Sequence, residues 1–293
     1  MRYLIAVALL LVGCTTIPAE DGSIEVYFCP ETNCTQLIMG IDKEASCALY
    51  DLSYNVQDFL KEKNVELYVD EDNYKKYGTP IIEKGLMHHK FCVYDSKTVT
   101  GSFNPTKRGE LYNNNNVLVI NSKFISENYI NEINSLKSDS NKKTPHKKII
   151  LNGFLIENYF CPRDQCQKQV LKTLSSANES IHFMVFSFTD DKIGELIIEK
   201  SKYIEVRGVM ERTQNNKYTE YDKLKNAGVD VKWDSNPYNM HHKVFMVDKK
   251  IVITGSYNPT RNGNENNNEN VLIIHNEQVA EAYFQEFLKL SLA

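Results

Sequence analysis

The chain has 293 residues, 42% apolar and 25% charged, a globular composition that suits one large domain or two small ones. Its 34 basic and 38 acidic side chains leave a net charge of −4, which excludes a global electrostatic pull on nucleic acid or anionic membrane. A local basic groove remains compatible with that balance.

From the N-terminus, Met1-Arg2-Tyr3 leads into the apolar run LIAVALLLVG, then Cys14, then polar TTIPAEDGS. The run is too short to span a bilayer comfortably but has the size of a signal-peptide core. Leu11-Val12-Gly13-Cys14 resembles a lipobox, in which cleavage precedes a Cys that then carries lipid. Residues 1–13 are therefore expected as signal peptide, Cys14 as the lipidation site and 14–22 as a tether. A plain secretory signal cut elsewhere is the alternative, and either implies export to oxidising conditions, with the lipid holding the protein on a membrane.

The remaining cysteines fit that compartment. Cys29 and Cys34 in YFCPETNC, and Cys161 and Cys166 in YFCPRDQC, each enclose four residues. Local disulfides are expected, with a four-cysteine zinc site joining the halves as the alternative, although the two-residue knuckle spacing is missing. Cys47 and Cys92 lie in apolar runs and read as buried core thiols.

Recurring strings mark an internal duplication. The first unit occupies 23–136 and the second 151–293, joined by a polar, Lys-rich connector at 137–150. In the second unit, strand-like IENYF precedes a helical stretch with Val170, Leu171 and Leu174 in phase. Then come strand SIHFMVFSF, a helix from near Asp190, strand IEVRGVM, a helix with Gly228 as its C-terminal cap, and strand VDVKW. The first unit passes from VELYVDEDNYKKYG almost directly to its motif, so it is expected to lack that last helix. A strand (NVLVI, NVLII) and a closing helix finish each unit. Such alternation predicts an α/β fold with helix-covered sheets, its halves related by a pseudo-two-fold axis.

The most specific strings are MHHKFCVYDSKTVTGSFNPT at 87–106 and MHHKVFMVDKKIVITGSYNPT at 240–260. Each predicts a β-hairpin. Residues two apart on a strand share a face, so His88, Lys90, Ser102 and Asn104 form one patch, and His241, Lys243, Ser256 and Asn258 another. His242 faces the other side, which disfavours a metal site built from adjacent histidines. Asp95 and Asp248 fall at the turns and are expected to hold the hairpins. Six positions fixed at roughly one in twenty make a chance match of order 10⁻⁸ per start point. Two opposed patches suit a phosphodiester: Lys, Ser and Asn hold the phosphate, one His attacks phosphorus, and the opposite His protonates the leaving alcohol. No metal or other cofactor is required.

These strings resemble the paired H-x-K-x4-D and G-S-x-N motifs of the phospholipase D superfamily, over nearly all of the chain after Gly22. The resemblance implies a duplicated α-β-α sandwich with mixed sheets and one active site, completed within one chain. It also implies metal-independent hydrolysis through a phosphohistidine, with His88, Lys90, His241 and Lys243 catalytic and Ser102, Asn104, Ser256 and Asn258 assisting. His88 is the nucleophile the resemblance favours. Transfer of a phosphatidyl group, or a surface binding protein that keeps the fold without catalysis, are the alternatives. The compact units resemble the bacterial nuclease and cardiolipin-hydrolase-like branches, so phospholipid and nucleic acid are both candidate substrates.

Two departures stand out. Six residues separate Asp248 from Gly255, but only five separate Asp95 from Gly101. Family members often carry a Glu eleven residues after the motif Asn; Glu269 stands there in the second unit, and Asn115 in the first. A carboxylate stabilises an imidazolium whereas an amide only orients the ring, so the histidines are expected to be inequivalent. Whether Glu269 reaches His241 or His88 stays open. Asn113, Asn114, Asn264 and Asn266 read as solvated loop. Trp233 and Tyr238, just before the second motif, are candidates to line the site or to fill core and rim.

Overall fold

The computed structural model describes residues 16–41, 44–138, 140 and 142–292. The expected signal peptide and Cys14 lie outside the described residues. The chain opens with strands β1 (Ala19–Glu20) and β2 (Ser23–Cys29), helix α1 (Cys34–Met39), β3 (Ser46–Leu49), α2 (Tyr54–Glu62), β4 (Glu66–Asp70) and β5 (Thr79–Ile81). The hairpin β6 (Lys90–Tyr94) and β7 (Lys97–Gly101), α3 (Lys107–Leu111), β8 (Asn115–Asn121) and α4 (Lys123–Ser138) complete the first half. The second half starts with β9 (Lys148–Leu151), β10 (Phe154–Cys161), α5 (Cys166–Ser175), β11 (Ser180–Val185) and α6 (Asp191–Lys200). It continues with β12 (Glu205–Met210), α7 (Tyr221–Asn226), β13 (Asp230–Trp233) and the hairpin β14 (Lys243–Val247) and β15 (Ile251–Gly255). Helix α8 (Arg261–Glu265), β16 (Glu269–His275) and α9 (Glu277–Leu292) close it.

Each half builds one mixed sheet. The strand orders are β2-β8-β7-β6-β3-β4-β5 and β1-β9-β10-β16-β15-β14-β11-β12-β13. Apart from β1 and β9 the orders superpose strand for strand, which is the duplication seen in the sequence. Among the described residues helix α7 has no counterpart in the first half, where a short 3₁₀ turn at Glu71–Asn73 precedes β5. The halves are not separate bodies. Helix α4 buries Ile125, Tyr129 and Ile133, and α9 buries Ala280, Tyr283 and Phe287, at spacings that put each set on one helical stripe. Both stripes enter a single core shared with Phe91 and Leu118 of the first sheet and Met184 and Val244 of the second. Smaller cores lie outside each sheet, under α1 and α2 in one half and α5 to α7 in the other.

Three sequence expectations change here. Cys47 and Cys92 are bonded to each other, not free thiols: they face one another across antiparallel β3 and β6, with Cα atoms 4.1 Å apart. Disulfides also join Cys29 to Cys34 and Cys161 to Cys166, which uses the thiols a zinc site would need. The tether is partly structural, because Ala19 and Glu20 pair with Ile150 and Leu151, and the Glu20 carboxylate accepts from the N-terminal amides of α4. The connector is likewise shorter than the solvated stretch expected: Lys148–Leu151 is strand, and buried Thr144 donates to Asp164.

Candidate active site

The two motif hairpins differ by one residue, and the difference stays in the turn. Tyr94 pairs with Lys97, whereas Val247 pairs with Ile251, so the second loop, 248–250, is one residue longer than the first, 95–96. Register recovers beyond it, with Gly101 opposite Val117 and Gly255 opposite Val271. These glycines have φ of 144° and 138°, and a Cβ at either would lie 2.2 Å from the carbonyl oxygen of Asn116 or Asn270. The bare backbone lets the following Ser fold in. The Ser102 and Ser256 hydroxyls then each accept an amide hydrogen bond, at 3.0 Å, from Asn116 and Asn270. At the turns, Asp95 and Asp248 take left-handed φ of 51° and 53°. Asp248 accepts from the amides of Asn178, Glu179 and Ser180; burial works against its charge, but those donors prevail and lower its pKa.

Each motif strand enters the site by crossing into the other half. Met87 bridges Asn268 and Asn114 bridges Met240, both in parallel sense. His88 donates its amide to Asn268 O at 3.0 Å, and His241 donates to Asn114 O at 2.8 Å. The side chains cross too. His88 Nδ1 lies 2.8 and 2.9 Å from the two Glu269 oxygens, and His241 Nδ1 lies 2.9 Å from Asn115 Oδ1 and 3.0 Å from Ser102 O. Glu269 therefore serves the histidine of the opposite half. All three partners accept, so Nδ1 carries the proton in both rings and Nε2 is the free nitrogen.

Lys90 and Lys243 curl back to the carbonyls of their own His88 and His241, at 2.7 Å each. Tyr50 and Phe186 pack edge-on to His88 and His241, and lie beneath the ammonium groups of Lys90 and Lys243 at 5.0 and 4.7 Å. Ser102 donates to Asn115 Oδ1 at 3.1 Å, and Ser256 to Glu269 Oε2 at 2.6 Å. The amide oxygens of Asn104 and Asn258 are buried without a hydrogen-bond partner.

Burial sets the electrostatics. It lowers Lys90 to about 7 and Lys243 well below the usual ammonium range, the second lysine pushed further by Lys90. Burial and the two lysines hold both histidines well below the ordinary imidazole value. Glu269, also buried, rises to about 7 although Lys90 and Ser256 favour its charge. Each of these shifts disfavours the charged form, so the site by itself holds little net charge, and a bound anion would favour the ammonium form of both lysines.

The second motif histidines turn away, as expected, and brace the site from behind. His89 Nε2 lies 3.0 Å from Glu132 of α4, and His242 Nε2 lies 3.5 Å from Glu286 of α9. His242 also meets Asn116 Oδ1 at 3.1 Å. Asn116 and Asn270 donate across the pseudo-two-fold, Asn116 to Thr254 and Tyr283, Asn270 to Thr100 and Tyr129. Asp70 and Glu211 accept from the amides of Met87 and Met240. Sequence reasoning missed these residues; for the two amides the signal was present, since NN-VLVI and EN-VLII keep Asn at the second position.

Other candidates resolve differently. Asn113 and Asn114 are buried rather than solvated, because they meet the incoming strand: Asn113 Oδ1 accepts from Asn239 N, and Asn114 from Asn236 and His241. Asn264 is half-buried and bonded to Asp190 and Tyr257, while Asn266 is half-buried. Trp233 stacks on Tyr221 at 3.8 Å against the second half's outer core. Tyr238 sits at the rim, stacked on Tyr112.

Comparison with known proteins agrees with this architecture. A family model described as cardiolipin synthase, PLD-like domain, matches residues 35–137 and again 170–291. The chain belongs to that phospholipase D-like family, and the double match coincides with its two halves. A phospholipase D of Rickettsia conorii is 33% identical over 135 residues, 45% of this chain and 68% of the relative. The mitochondrial cardiolipin hydrolase of Chlamydomonas reinhardtii is 30% identical over 140 residues, 44% of this chain and 63% of that protein. The chain thus spans about two thirds of the length of these relatives. A phosphatidylserine synthase from Haemophilus influenzae shares the fold, with a TM-score of 0.69 over 90% of this chain and 86% of that one, at 12% identity.

The Asn116 amide joins the halves through three buried contacts, to Thr254, Tyr283 and His242. Asn116→Ala would leave Thr254, Tyr283 and His242 short of a buried partner, at a cost of about 2–4 kcal/mol. Chemical denaturation should show that loss; a change below about 0.5 kcal/mol would mean that the bonds are dispensable.

Proposed function

We propose that this protein is a phospholipase D-type phosphodiesterase that hydrolyses its substrate through a phosphohistidine on His88. The relatives named phospholipase D and cardiolipin hydrolase support the reaction class. The observation that carries the mechanism is the pair of motif histidines, each held at Nδ1 by the other half and each with Nε2 free.

In the first step His88 Nε2 attacks phosphorus as the bond to the leaving oxygen breaks. His241, protonated on both nitrogens once the substrate's phosphate anion offsets the burial and lysine charges that depress its pKa, gives its Nε2 proton to the departing alkoxide. Water then attacks phosphorus, losing its proton to His241, and the P–N bond breaks to release a phosphomonoester and restore both histidines. Glu269 favours His88 as nucleophile because a carboxylate at Nδ1 offsets the positive charge that builds on the imidazole during attack. Lys90, Lys243 and the NH2 groups of Asn104 and Asn258 would donate to the phosphoryl oxygens, where charge grows in the transition state. These groups suffice without a metal ion.

Hydrolysis of bis(p-nitrophenyl) phosphate in EDTA tests this reading. His88→Ala and His241→Ala should each lower kcat at least about 10³-fold, and Glu269→Gln about 10–100-fold. The value of kcat/KM should peak near pH 7: Lys90 loses its proton as pH rises through about 7, and Glu269 is protonated and loses its charge as pH falls through about 7. Activity that survives both His substitutions, or needs a divalent cation, would contradict the proposal.

The protein is further read as exported and anchored through lipid on Cys14. The three disulfides among the described residues support an oxidising compartment. Palmitate labelling of the wild type that disappears in Cys14→Ser is the expected outcome; an unlabelled wild type would remove the anchor.

A further inference from the structure

The pseudo-two-fold relation gives every residue at the rim a mate, and one pair of mates is unlike. Counting two residues back from the bridge between Asn114 and Met240 reaches Tyr112 and Tyr238; two back from Asn268 and Met87 reaches Asn266 and Gly85. On the first side the two tyrosine rings stack, with centroids 4.3 Å apart and planes 18° from parallel. On the second side the backbones touch. A Cβ at Gly85 would lie 2.4 Å from the Asn266 carbonyl oxygen, so no side chain can rise there.

The aromatic pair is built, not incidental. Asn236 donates to Tyr112 O at 3.0 Å and to Asn114 Oδ1 at 2.5 Å, and accepts from Tyr238 N at 2.9 Å. Each tyrosine nevertheless stays 39% exposed. Tyr238 precedes His241 by three residues, about 10 Å of extended chain, and Tyr112 precedes Asn115, which holds the same histidine, by three. The aromatic rim therefore belongs to the His241 side, and the bare rim to the side of His88 and Glu269.

We propose that Tyr112 and Tyr238 form a stacking subsite for a planar, uncharged ring on the leaving arm of the substrate, as a nucleotide would present. The proposal rests on the phosphodiesterase reading, in which His241 protonates the leaving oxygen. Local charge disfavours a quaternary ammonium at this rim: the Arg108 guanidinium donates to Asn239, next to Tyr238, at 3.3 Å. A planar ring gains stacking on an aromatic face without that repulsion, and the pair is preorganised to provide it.

Calorimetric titration of the full chain with phenyl phosphate, cyclohexyl phosphate and phosphocholine tests the subsite. These probes share a phosphate and differ in carrying a planar, a puckered or a cationic arm. Phenyl phosphate should bind about tenfold tighter than the other two. Tyr112→Ala and Tyr238→Ala should each abolish that preference while leaving cyclohexyl phosphate unchanged, and Tyr238→Phe should keep it. Equal affinity for phenyl and cyclohexyl phosphate, or tightest binding of phosphocholine, would overturn the inference. So would tyrosine variants that weaken all three probes alike and lower Tm, since that pattern marks a contact that only joins the halves. Failure of the wild type to bind any probe would instead defeat the phosphate site itself, and the subsite with it.

Discussion

The hydrogen bond between His88 and Glu269 joins a nucleophile candidate of one half to a carboxylate of the other, and much of the architecture follows from having to make it. Both groups are buried, and neither half alone contains the pair. To bring them together, the motif strands must cross the pseudo-two-fold and bridge the start of β8 and β16 in the opposite half. That crossing buries Asn114, Asn116 and Asn270, whose amides need partners at the same interface. Helices α4 and α9 then fill the space between the sheets and supply Glu132 and Glu286 to the histidines that face backwards.

Duplication gave the site its parts, and divergence gave it direction. With Asn115 in place of a second glutamate, His88 has a carboxylate at Nδ1 and His241 an amide. A second carboxylate would also have opposed a phosphodiester anion at the same place. Burial makes the lysines' attraction for that anion conditional. Without an anion the lysines hold their protons weakly, and a bound phosphate would restore their charge. The rim is polarised the same way, with the tyrosine pair on the side of the amide-held histidine.

Much of this was legible in the sequence. The repeated string was enough to predict the two hairpins and the opposite directions of His241 and His242, because a strand period of two is unforgiving. The missing residue before Gly101 was also assigned correctly to the turn. What could not be read was anything that depends on which half meets which. The sequence leaves Glu269 two possible histidines, and places Asn113 and Asn114 in a polar run indistinguishable from loop. The cross-strand bond of Cys47 to Cys92 was hidden because pairing of β3 with β6 is a tertiary fact, and an apolar context suits a thiol equally well. The shortened tether and connector failed for the same reason: β1 and β9 gain their strand character from each other and from β10, not from their own composition.

The central claim is that His88 carries the phosphoryl group while His241 moves the proton. Intact-mass spectrometry under basic quench, after mixing His241→Ala with bis(p-nitrophenyl) phosphate, tests it most directly. This leaving group departs without a protonating partner, while release of the intermediate by water still lacks its base, so the covalent adduct should accumulate. The account predicts one base-stable, acid-labile nitrophenylphosphoryl adduct that peptide mapping places on His88. An adduct on His241 in the reciprocal His88→Ala variant, with none on His88, would contradict it.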